Sequence, residues 1–342
     1  MMTHAPAYPA PVATPVATPS GMLTVGIDVG GTKTSCVVTD ADDRLVLHEI
    51  EPTHAEQLTE QLAGLVQRAV DRVAADARGT IAAVGVAVPG RVEPQTGTIA
   101  LAVNLGGRDL DLGPQLERSL GLPCFVEHDA RAAATWVNAQ DATAADLAYL
   151  AVGTGISTGI VLNGRVLRGA NGLAGEIGHV NAEPDGTPCA CGLRGCLEVV
   201  AAGPHIARLA REAVASGRAT ALPPEPTAAE VFSAAAAGDA LATELAAGVA
   251  QQLARAIRAL VLTLGVNHIV IGGGVAAAGD ALLSPVLAAI AAERAASPLV
   301  DAAFRDASVE LLSPQTEAGA RGAAQIARQR VSAMRREGVG ER

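Results

Sequence analysis

The beginning of the chain alternates between short apolar runs and polar turns. Residues 23–27, 35–39 and 45–50 each form an apolar run of the length expected for one buried strand. The turn at 28–34 reads DVGGTKT and therefore joins two strands of a predicted hairpin. No helix follows this glycine-rich loop. That order excludes a Walker loop and a dinucleotide-binding fingerprint, since both place a helix directly after the loop.

The same order of elements returns in the middle of the chain. Residues 147–152 predict a strand, residues 153–155 read GTG, and residues 160–167 predict a hairpin. The hairpin turns at Asn163-Gly164, a pair typical of two-residue turns. We interpret the two similar halves as an internal duplication. Two lobes with mixed sheets would then face each other across a ligand-binding cleft.

Helical periodicity fills much of the remaining chain. Apolar residues recur at helical spacing over 58–73, a long helical run covers about 240–264, and a last helix covers about 317–335. Further buried strands are predicted at 81–88, 124–127 and 268–271.

Together these elements predict an α/β fold with two lobes. The first lobe covers residues 22–130 and is completed by the C-terminal helix at about 317–336. The second lobe covers residues 131–316. Residues 1–21 are rich in Pro, Ala and Thr, which predicts a disordered tail.

The composition limits the classes of partner. Of 342 residues, 49% are hydrophobic but only 2% are aromatic, so the core has to be built from Ala, Val, Leu and Ile. The net charge of -10 argues against a nucleic-acid or anionic-membrane partner. The tail lacks the features of a signal peptide, and no run of about eighteen apolar residues predicts a membrane span. We therefore expect a cytoplasmic protein, in which Cys36 and Cys124 are ordinary core thiols.

Three cysteines and one histidine are concentrated in a short stretch. His179 is followed by the sequence CACGLRGC at 189–196, which contributes Cys189, Cys191 and Cys196. Three thiolates and one imidazole complete a tetrahedral zinc shell, and the glycines allow the backbone to turn tightly enough for the ligands to converge. A disulfide is a weaker interpretation, because nothing else in the chain indicates secretion. Three unrelated buried cysteines are the remaining alternative.

The glycine loops supply backbone N–H groups of the kind that binds phosphate. Consecutive N–H groups in such turns form a concave anion site, and two facing loops suit a polyphosphate chain. Asp28 precedes the first loop, where it can hold Mg²⁺ directly or through water. Lys33 is interpreted equally well as a phosphate contact or as a solvated lysine, and a plain tight turn is the alternative for any one loop. The residues assigned to the nucleotide and its metal are Asp28, Gly30, Gly31, Thr32, Lys33, Gly153, Thr154, Gly155, Gly273 and Gly274.

Three acidic residues are candidates for chemistry on the substrate. Asp129 follows a predicted strand and opens a helix, so it is either a general base facing the cleft or a simple helix N-cap. Glu176 and Glu198 flank the zinc ligands and are candidates for binding sugar hydroxyls, because carboxylates accept hydrogen bonds from neighbouring hydroxyl groups. Solvated surface charge and support of the metal ligands are the alternatives for both. His179 can serve the metal with one ring nitrogen and the substrate with the other.

These motifs together resemble the ROK family of bacterial glucokinases, related sugar kinases and sugar-responsive repressors. The resemblance covers most of residues 22–335, and it rests on both glycine loops, the sequence EHD at 127–129 and the cysteine cluster. It implies an actin-like ATPase fold, also described as ribonuclease H-like, and a homodimer. It also implies MgATP-dependent phosphorylation of a hexose, most often on the 6-hydroxyl. Carried over to this chain, it assigns Asp129 as the catalytic base, Gly90, Asn104, His128, Asp129, Glu176, His179 and Glu198 to the sugar, and His179, Cys189, Cys191 and Cys196 to structural zinc.

Two positions depart from the family pattern, and both belong to the sugar site. His128 stands where the family normally has Asn, and the Trp that often follows the position of Asn104 is missing. Neutral His offers one donor and one acceptor in a rigid ring, fewer than the Asn amide. The chain is therefore predicted to be an intact kinase with an altered substrate preference, such as an epimer of glucose, an amino sugar or a C7-cyclitol.

Two alternatives use the same fold for a different role. Repressors of this family carry a DNA-binding helix-turn-helix before the first glycine loop, whereas only the Pro-rich tail precedes it here. A sugar-sensing regulator without a DNA-binding domain is therefore the alternative to a kinase. A kinase that uses polyphosphate is a further alternative, although the loop at 30–33 resembles that of the ATP-using branch.

Overall fold

The computed structural model describes residues 21–76, 79–101, 109–140 and 146–340. Nearly all of the predicted tail and the sugar-site candidate Asn104 lie outside the described residues. The strands are β1 (Met22–Val29), β2 (Lys33–Thr39), β3 (Leu45–Pro52), β4 (Thr80–Val88), β5 (Arg91–Glu93), β6 (Thr98–Leu101), β7 (Cys124–His128), β8 (Leu147–Val152), β9 (Ile156–Leu162), β10 (Arg165–Val166), β11 (His268–Gly272) and β12 (Ser308–Leu311). The helices are α1 (Leu58–Ala75), α2 (Leu112–Leu120), α3 (Asp129–Gln140), α4 (Glu198–Ala201), α5 (Gly203–Ala215), α6 (Ala228–Ala236), α7 (Ala240–Leu264), α8 (Asp280–Ala296), α9 (Pro298–Ala303) and α10 (Ala318–Gly340).

Two five-stranded sheets of the same topology form the centre of the fold. The first has the order β3-β2-β1-β4-β7, in which β1, β2 and β3 are antiparallel neighbours and β4 and β7 run parallel to β1. The second has the order β10-β9-β8-β11-β12 with the same directions. In both sheets a glycine loop connects the first two strands, β1 to β2 and β8 to β9. The predicted pair of mixed sheets is confirmed, and the matching topologies agree with an internal duplication.

Two helices, α3 and α10, approach the sheets at glycine residues. A Cβ atom on Gly26 of β1 would collide with the carbonyl oxygen of Ala320 in α10, and one on Gly85 of β4 would collide with that of Ala323. Gly159 of β9 approaches the backbone of α3 in the same way. Glycine is required at these positions because the helix backbone occupies the space of a side chain. The last helix of the chain thereby packs on the first sheet, while the residue limits of the two lobes stay a prediction.

The core is aliphatic, as the composition requires. Buried Val, Leu, Ile and Ala side chains dominate both sheets. Cys36 and Cys124 are buried in the core of the first sheet, and burial raises the pKa of each thiol to about 12. Helix α7 is long and apolar enough to cross a membrane by length and composition alone, but half of its apolar window is buried within the fold. Such burial is typical of a core helix.

Candidate functional site

A cleft of about 1090 Å³ lies where the glycine loops of the two sheets meet. A Cβ atom on Gly31 in the first loop would lie 3.5 Å from Cγ2 of Thr154 in the second, so the loops approach each other to van der Waals distance. Of the described site candidates, all but Cys189 and Cys196 line this cleft. The structure thus brings the candidates together, and their individual roles stay predictions.

Each glycine loop is a tight turn whose first N–H group bonds within the loop. The N–H of Gly30 donates to the carbonyl oxygen of Lys33 at 2.9 Å, and the N–H of Gly153 donates to that of Gly155 at 2.9 Å. The backbone also turns at Gly273, where φ is 85°, directly after β11. These three turns line the cleft with main-chain groups, which is the chemistry suited to phosphate.

Asp28 lies between the first glycine loop and the beginning of α10. A Cβ atom on Gly319 would collide with its carboxylate, which places that carboxylate directly against the helix backbone. Burial, together with the charges of Asp129 and Glu317, raises the pKa of Asp28 to about 7, although Lys33 acts in the opposite direction. A divalent cation stabilises carboxylates that converge in this way. The surroundings of Asp28 therefore fit the predicted Mg²⁺ ligand.

Asp129 is the first residue of α3 and lines the cleft. Its Oδ1 accepts a hydrogen bond from the N–H of Ala130 at 2.6 Å and lies 3.2 Å from Nδ1 of His128. The side chain nevertheless keeps 30% of its surface exposed. Asp129 bonds within the first turn of its helix and also faces the cleft. The interpretation as a helix cap and the interpretation as a general base therefore do not exclude each other. A carboxylate in this position can accept a proton from a hydroxyl group bound in the cleft.

His128 ends β7 and is buried between two carboxylates. Its Nδ1 faces Asp129, and its Nε2 lies 3.4 Å from Oε1 of Glu176. Burial by itself lowers the pKa of His128, but the charge of Asp129 and the hydrogen bond with Glu176 outweigh it, so the pKa lies above its ordinary value. Burial by itself raises the pKa of Glu176, whereas the hydrogen bond with His128 and its charge bring that pKa below its ordinary value. Both ring nitrogens thus face protein carboxylates.

Glu198, His179 and Gly90 also line the cleft. Glu198 opens α4, and its Oε2 accepts a hydrogen bond from the N–H of Ile156 at 3.0 Å, where the second glycine loop enters β9. Gly90 follows β4 and has a φ of 97°, a conformation that favours glycine. The cleft therefore offers polar side chains that suit a ligand with several hydroxyl groups, namely those of Asp129, Glu176, His179 and Glu198.

His179 and three cysteines form a cluster of metal-ligand type beside the cleft. Nδ1 of His179 lies 3.7 Å from Sγ of Cys189, and the Sγ atoms of Cys191 and Cys196 lie 3.6 Å apart. All four ligand atoms lie within 4.8 Å of one another. A tetrahedral zinc ion with bonds of about 2.0–2.3 Å places its ligand atoms roughly 3.3–3.8 Å apart. The cluster can therefore hold a metal ion of this kind, and its cysteines are unpaired.

One wall of the cleft consists of residues that no sequence motif marks. They come from α6 and from the turn that precedes α8, and most of their side chains are small or apolar. A flat apolar ring fits such a wall better than a charged group does. Runs of alanine at 234–237 and 276–278 were the one available signal for it. The residues are Ala228, Ala229, Phe232, Ser233, Ala236, Ala277 and Ala278.

A buried ion-pair network next to His128 was also not anticipated. Oε1 of Glu127 accepts a hydrogen bond from Nε of Arg131 at 3.0 Å, and Oε2 accepts two from Arg168. Arg131 also donates to the carbonyl oxygen of Gly172 at 3.0 Å. Burial by itself raises the pKa of Glu127, but Arg168 and Arg131 hold that pKa below its ordinary value. Arg131 lies four positions from Glu127, but Arg168 lies 41 positions away, so spacing could not identify Arg168 as a partner.

The chain is similar to sugar kinases over most of its length. The ROK family model matches residues 24–330. A glucokinase from Halalkalibacterium halodurans is 40% identical over 276 residues, which cover 77% of this chain and 83% of that protein. An N-acetylmannosamine kinase from Citrobacter koseri is 36% identical over 261 residues, which cover 74% of this chain and 84% of that protein.

Solved structures show the same similarity. A ROK family glucokinase from Streptomyces griseus, in complex with glucose and AMPPNP, has a TM-score of 0.75 at 28% identity and covers 90% of this chain and 99% of its own. A ROK hexokinase from Thermus thermophilus has a TM-score of 0.70 at 33% identity and covers 91% of this chain and 100% of its own.

Proposed function

Because the chain belongs to the ROK family, we propose that it transfers the γ-phosphoryl group of ATP to the 6-hydroxyl of a hexose or a closely related polyol. The family assignment and the actin-like fold expected from the sequence are confirmed. At this level of description the protein is an ATP-dependent sugar kinase. The identity of the sugar and the role of each residue form the finer part of the proposal.

The position of Asp129 carries the proposal. Its partly exposed carboxylate shares one cleft with both glycine loops and with Glu176 and Glu198. Asp129 accepts the proton of the attacking hydroxyl, which makes the sugar oxygen a better nucleophile. Main-chain groups of the loops bind the phosphates of the nucleotide. Because the two glycine loops meet, a phosphoryl group held between them lies in the same cleft as Asp129.

Two further groups would complete the nucleotide site. Asp28 would hold Mg²⁺, which neutralises phosphate charge when it is bound. The charges of Asp129 and Glu317 act on Asp28, and carboxylates that lie this close together attract a cation. The apolar wall formed by α6 and the turn before α8 receives the adenine ring, because it offers flat apolar contact and few charges.

Sugar hydroxyls are bound by Glu176, Glu198 and His179, with Gly90 nearby. Zinc held by the cysteine cluster would fix the orientation of the His179 ring through Nδ1 and so leave Nε2 for the substrate. We also expect a homodimer and a cytoplasmic location, both on the family resemblance and composition described above.

An amino sugar is the second candidate substrate. The N-acetylmannosamine kinase from Citrobacter koseri is nearly as similar to this chain as the glucokinase relative is. His128 supports a departure from glucose, because it removes the amide that the family normally offers to the sugar. Glucose and N-acetylated hexosamines therefore form the first comparison to make.

The test is ADP release with ATP and a panel of hexoses, N-acetylhexosamines and cyclitols. One hexose or hexosamine should support turnover, and its 6-deoxy analogue should bind without turnover because it lacks the acceptor hydroxyl. Replacing ATP with polyphosphate should abolish the reaction. Binding of sugars without turnover of any of them would instead support the sugar-sensing regulator. Equal preference for glucose in the wild type and in His128→Asn would contradict the altered substrate preference.

A further inference from the structure

His128 meets a different carboxylate at each of its ring nitrogens. Nδ1 lies 3.2 Å from Oδ1 of Asp129 at the beginning of α3, and Nε2 lies 3.4 Å from Oε1 of Glu176 in the segment that follows β10. The residue is only 3% exposed, so its ring is shielded from water. The imidazole therefore connects the proposed base to a proposed sugar ligand.

A neutral imidazole cannot donate to both carboxylates, because it carries one N–H. Nδ1 of His128 is buried without a hydrogen-bond partner. The tautomer with its hydrogen on Nε2 donates to Glu176 and leaves the lone pair of Nδ1 facing Oδ1 of Asp129. Two acceptors then oppose each other, and the contact becomes favourable as soon as a proton lies between them.

We propose that His128 positions Asp129 and takes over the proton that Asp129 removes from the sugar hydroxyl. The inference rests on the proposed function. As the sugar oxygen bonds to the γ-phosphorus and the bond to the bridging oxygen of ADP breaks, the hydroxyl proton moves to Asp129. It then passes from Oδ1 of Asp129 to Nδ1 of His128, which restores the carboxylate and forms an imidazolium. The proton returns to water when the products leave.

The charged groups around His128 favour this transfer. Asp129 and Glu176 stabilise an imidazolium between them, whereas burial and the charge of Arg131 oppose it. The balance places the pKa of His128 above its ordinary value of 6.5. The active form of the unit is the neutral one, since a protonated Nδ1 has no free lone pair and weakens Asp129 as a base. The chemical step should therefore slow as pH falls through the pKa of His128.

These contacts change the role of His128, which the sequence assigns to sugar binding. An Asn at this position would offer its amide to the sugar, but the His128 nitrogens are engaged by carboxylates. Removal of the imidazole should then slow phosphoryl transfer to the sugar that the wild type prefers roughly 10- to 100-fold and leave the KM for that sugar nearly unchanged, since the base itself remains. A gain from the new Asn amide would be seen with glucose, as a change of preference. A direct sugar contact would show the opposite pattern, a raised KM with kcat retained.

The first experiment measures single-turnover phosphoryl transfer against pH in the wild type, His128→Asn and His268→Asn. His268 pairs with Glu310 at 2.9 Å and does not line the cleft, so its variant is the matched control. We expect an acid limb above pH 6.5 in the wild type and control that moves to lower pH in His128→Asn. An unchanged acid limb in His128→Asn would overturn the proposal, and so would a variant altered in KM alone.

The second experiment needs no turnover and so separates this inference from the proposed function. NMR of ¹⁵N-labelled histidine, with His128 assigned by its loss in His128→Asn, follows the ring against pH in the wild type, Asp129→Asn and Glu176→Gln. The pKa of His128 should fall in both carboxylate variants, and its Nδ1 should be the unprotonated nitrogen of the neutral ring. The same pKa in all three proteins, or an Nδ1–H tautomer, would refute the relay even if the kinase activity is confirmed.

Discussion

Glu127 accepts hydrogen bonds from Nε and Nη2 of Arg168, at 3.1 Å and 2.5 Å, and this pair joins the last strand of the first sheet to the second half of the chain. The Glu127 carboxylate is 2% exposed, and its other oxygen binds Arg131. Arg168 belongs to the same segment as Glu176. One buried carboxylate therefore holds together two parts of the proposed site.

Glu127→Gln should destabilise the fold by about 3–5 kcal/mol, because it leaves the buried guanidinium of Arg131 without a compensating charge. Arg168→Gln should cost much less, since Arg168 is 39% exposed and Arg131 stays paired. Urea unfolding measures both differences. Arg218→Gln, which breaks an exposed pair with Glu244, is the control and should not move the midpoint. Equal midpoints for Glu127→Gln and the control would show that the network does not stabilise the fold.

Acid should weaken the stabilising effect of the same network. The folded pKa of Glu127 lies below its ordinary value of 4.5, so its contribution to stability is complete above that value and is lost as pH falls through the folded pKa. As pH falls below 4.5, the unfolding free energy of the wild type should therefore decrease more than that of Glu127→Gln does. Parallel pH profiles for the two proteins would contradict the assignment of a depressed pKa to this residue.

Removal of the proposed zinc ion should weaken both the fold and the binding of sugar, because His179 belongs to the cluster of metal-ligand type and also lines the cleft. Cys191→Ala should have the same effect as chelation, with a lower unfolding temperature and a sugar KM raised roughly 10- to 100-fold. Metal analysis should find one zinc per chain in the wild type and in Cys124→Ala, whose thiol lies in the core of the first sheet. A zinc-free preparation with normal sugar affinity would refute the link.

The apolar wall gives a prediction about ATP alone. Ala236→Trp fills space on the cleft side of α6 and should raise the KM for ATP roughly 10- to 100-fold, with the KM for the sugar unchanged. Ala237→Trp is the control, because the neighbouring residue is exposed and does not line the cleft. Similar kinetics for the two variants would mean that the adenine ring binds elsewhere.

Local signals in the sequence were sufficient for the parts of the fold that depend on neighbouring residues. The hairpin at Asn163-Gly164 has left-handed φ angles of 52° and 70°, as this pair predicts. Both glycine loops and the cysteine cluster were identified in the same way, since the functions predicted for them require particular residues at short spacing. The duplication could be inferred because its order of elements repeats.

Features that depend on distant contacts or on unremarkable residues could not be identified. Helices α2, α4, α5, α6, α8 and α9 were not assigned, and the wall to which α6 contributes is rich in alanine, which indicates no particular chemistry. The partners of Glu127 come from other elements, and only the folded chain places them together. The engagement of both His128 nitrogens likewise follows from the position of Glu176, which sequence spacing does not determine.

The most direct test of the account is phosphoryl transfer by Asp129→Asn, with the preferred sugar and ATP in a single-turnover assay and sugar binding measured by calorimetry. The substitution keeps the shape of the side chain and removes its ability to accept a proton. We predict a rate lower by about 10²–10⁴-fold with sugar affinity retained. A rate equal to that of the wild type would contradict the assignment of Asp129 as the base and, with it, the mechanism proposed for this cleft.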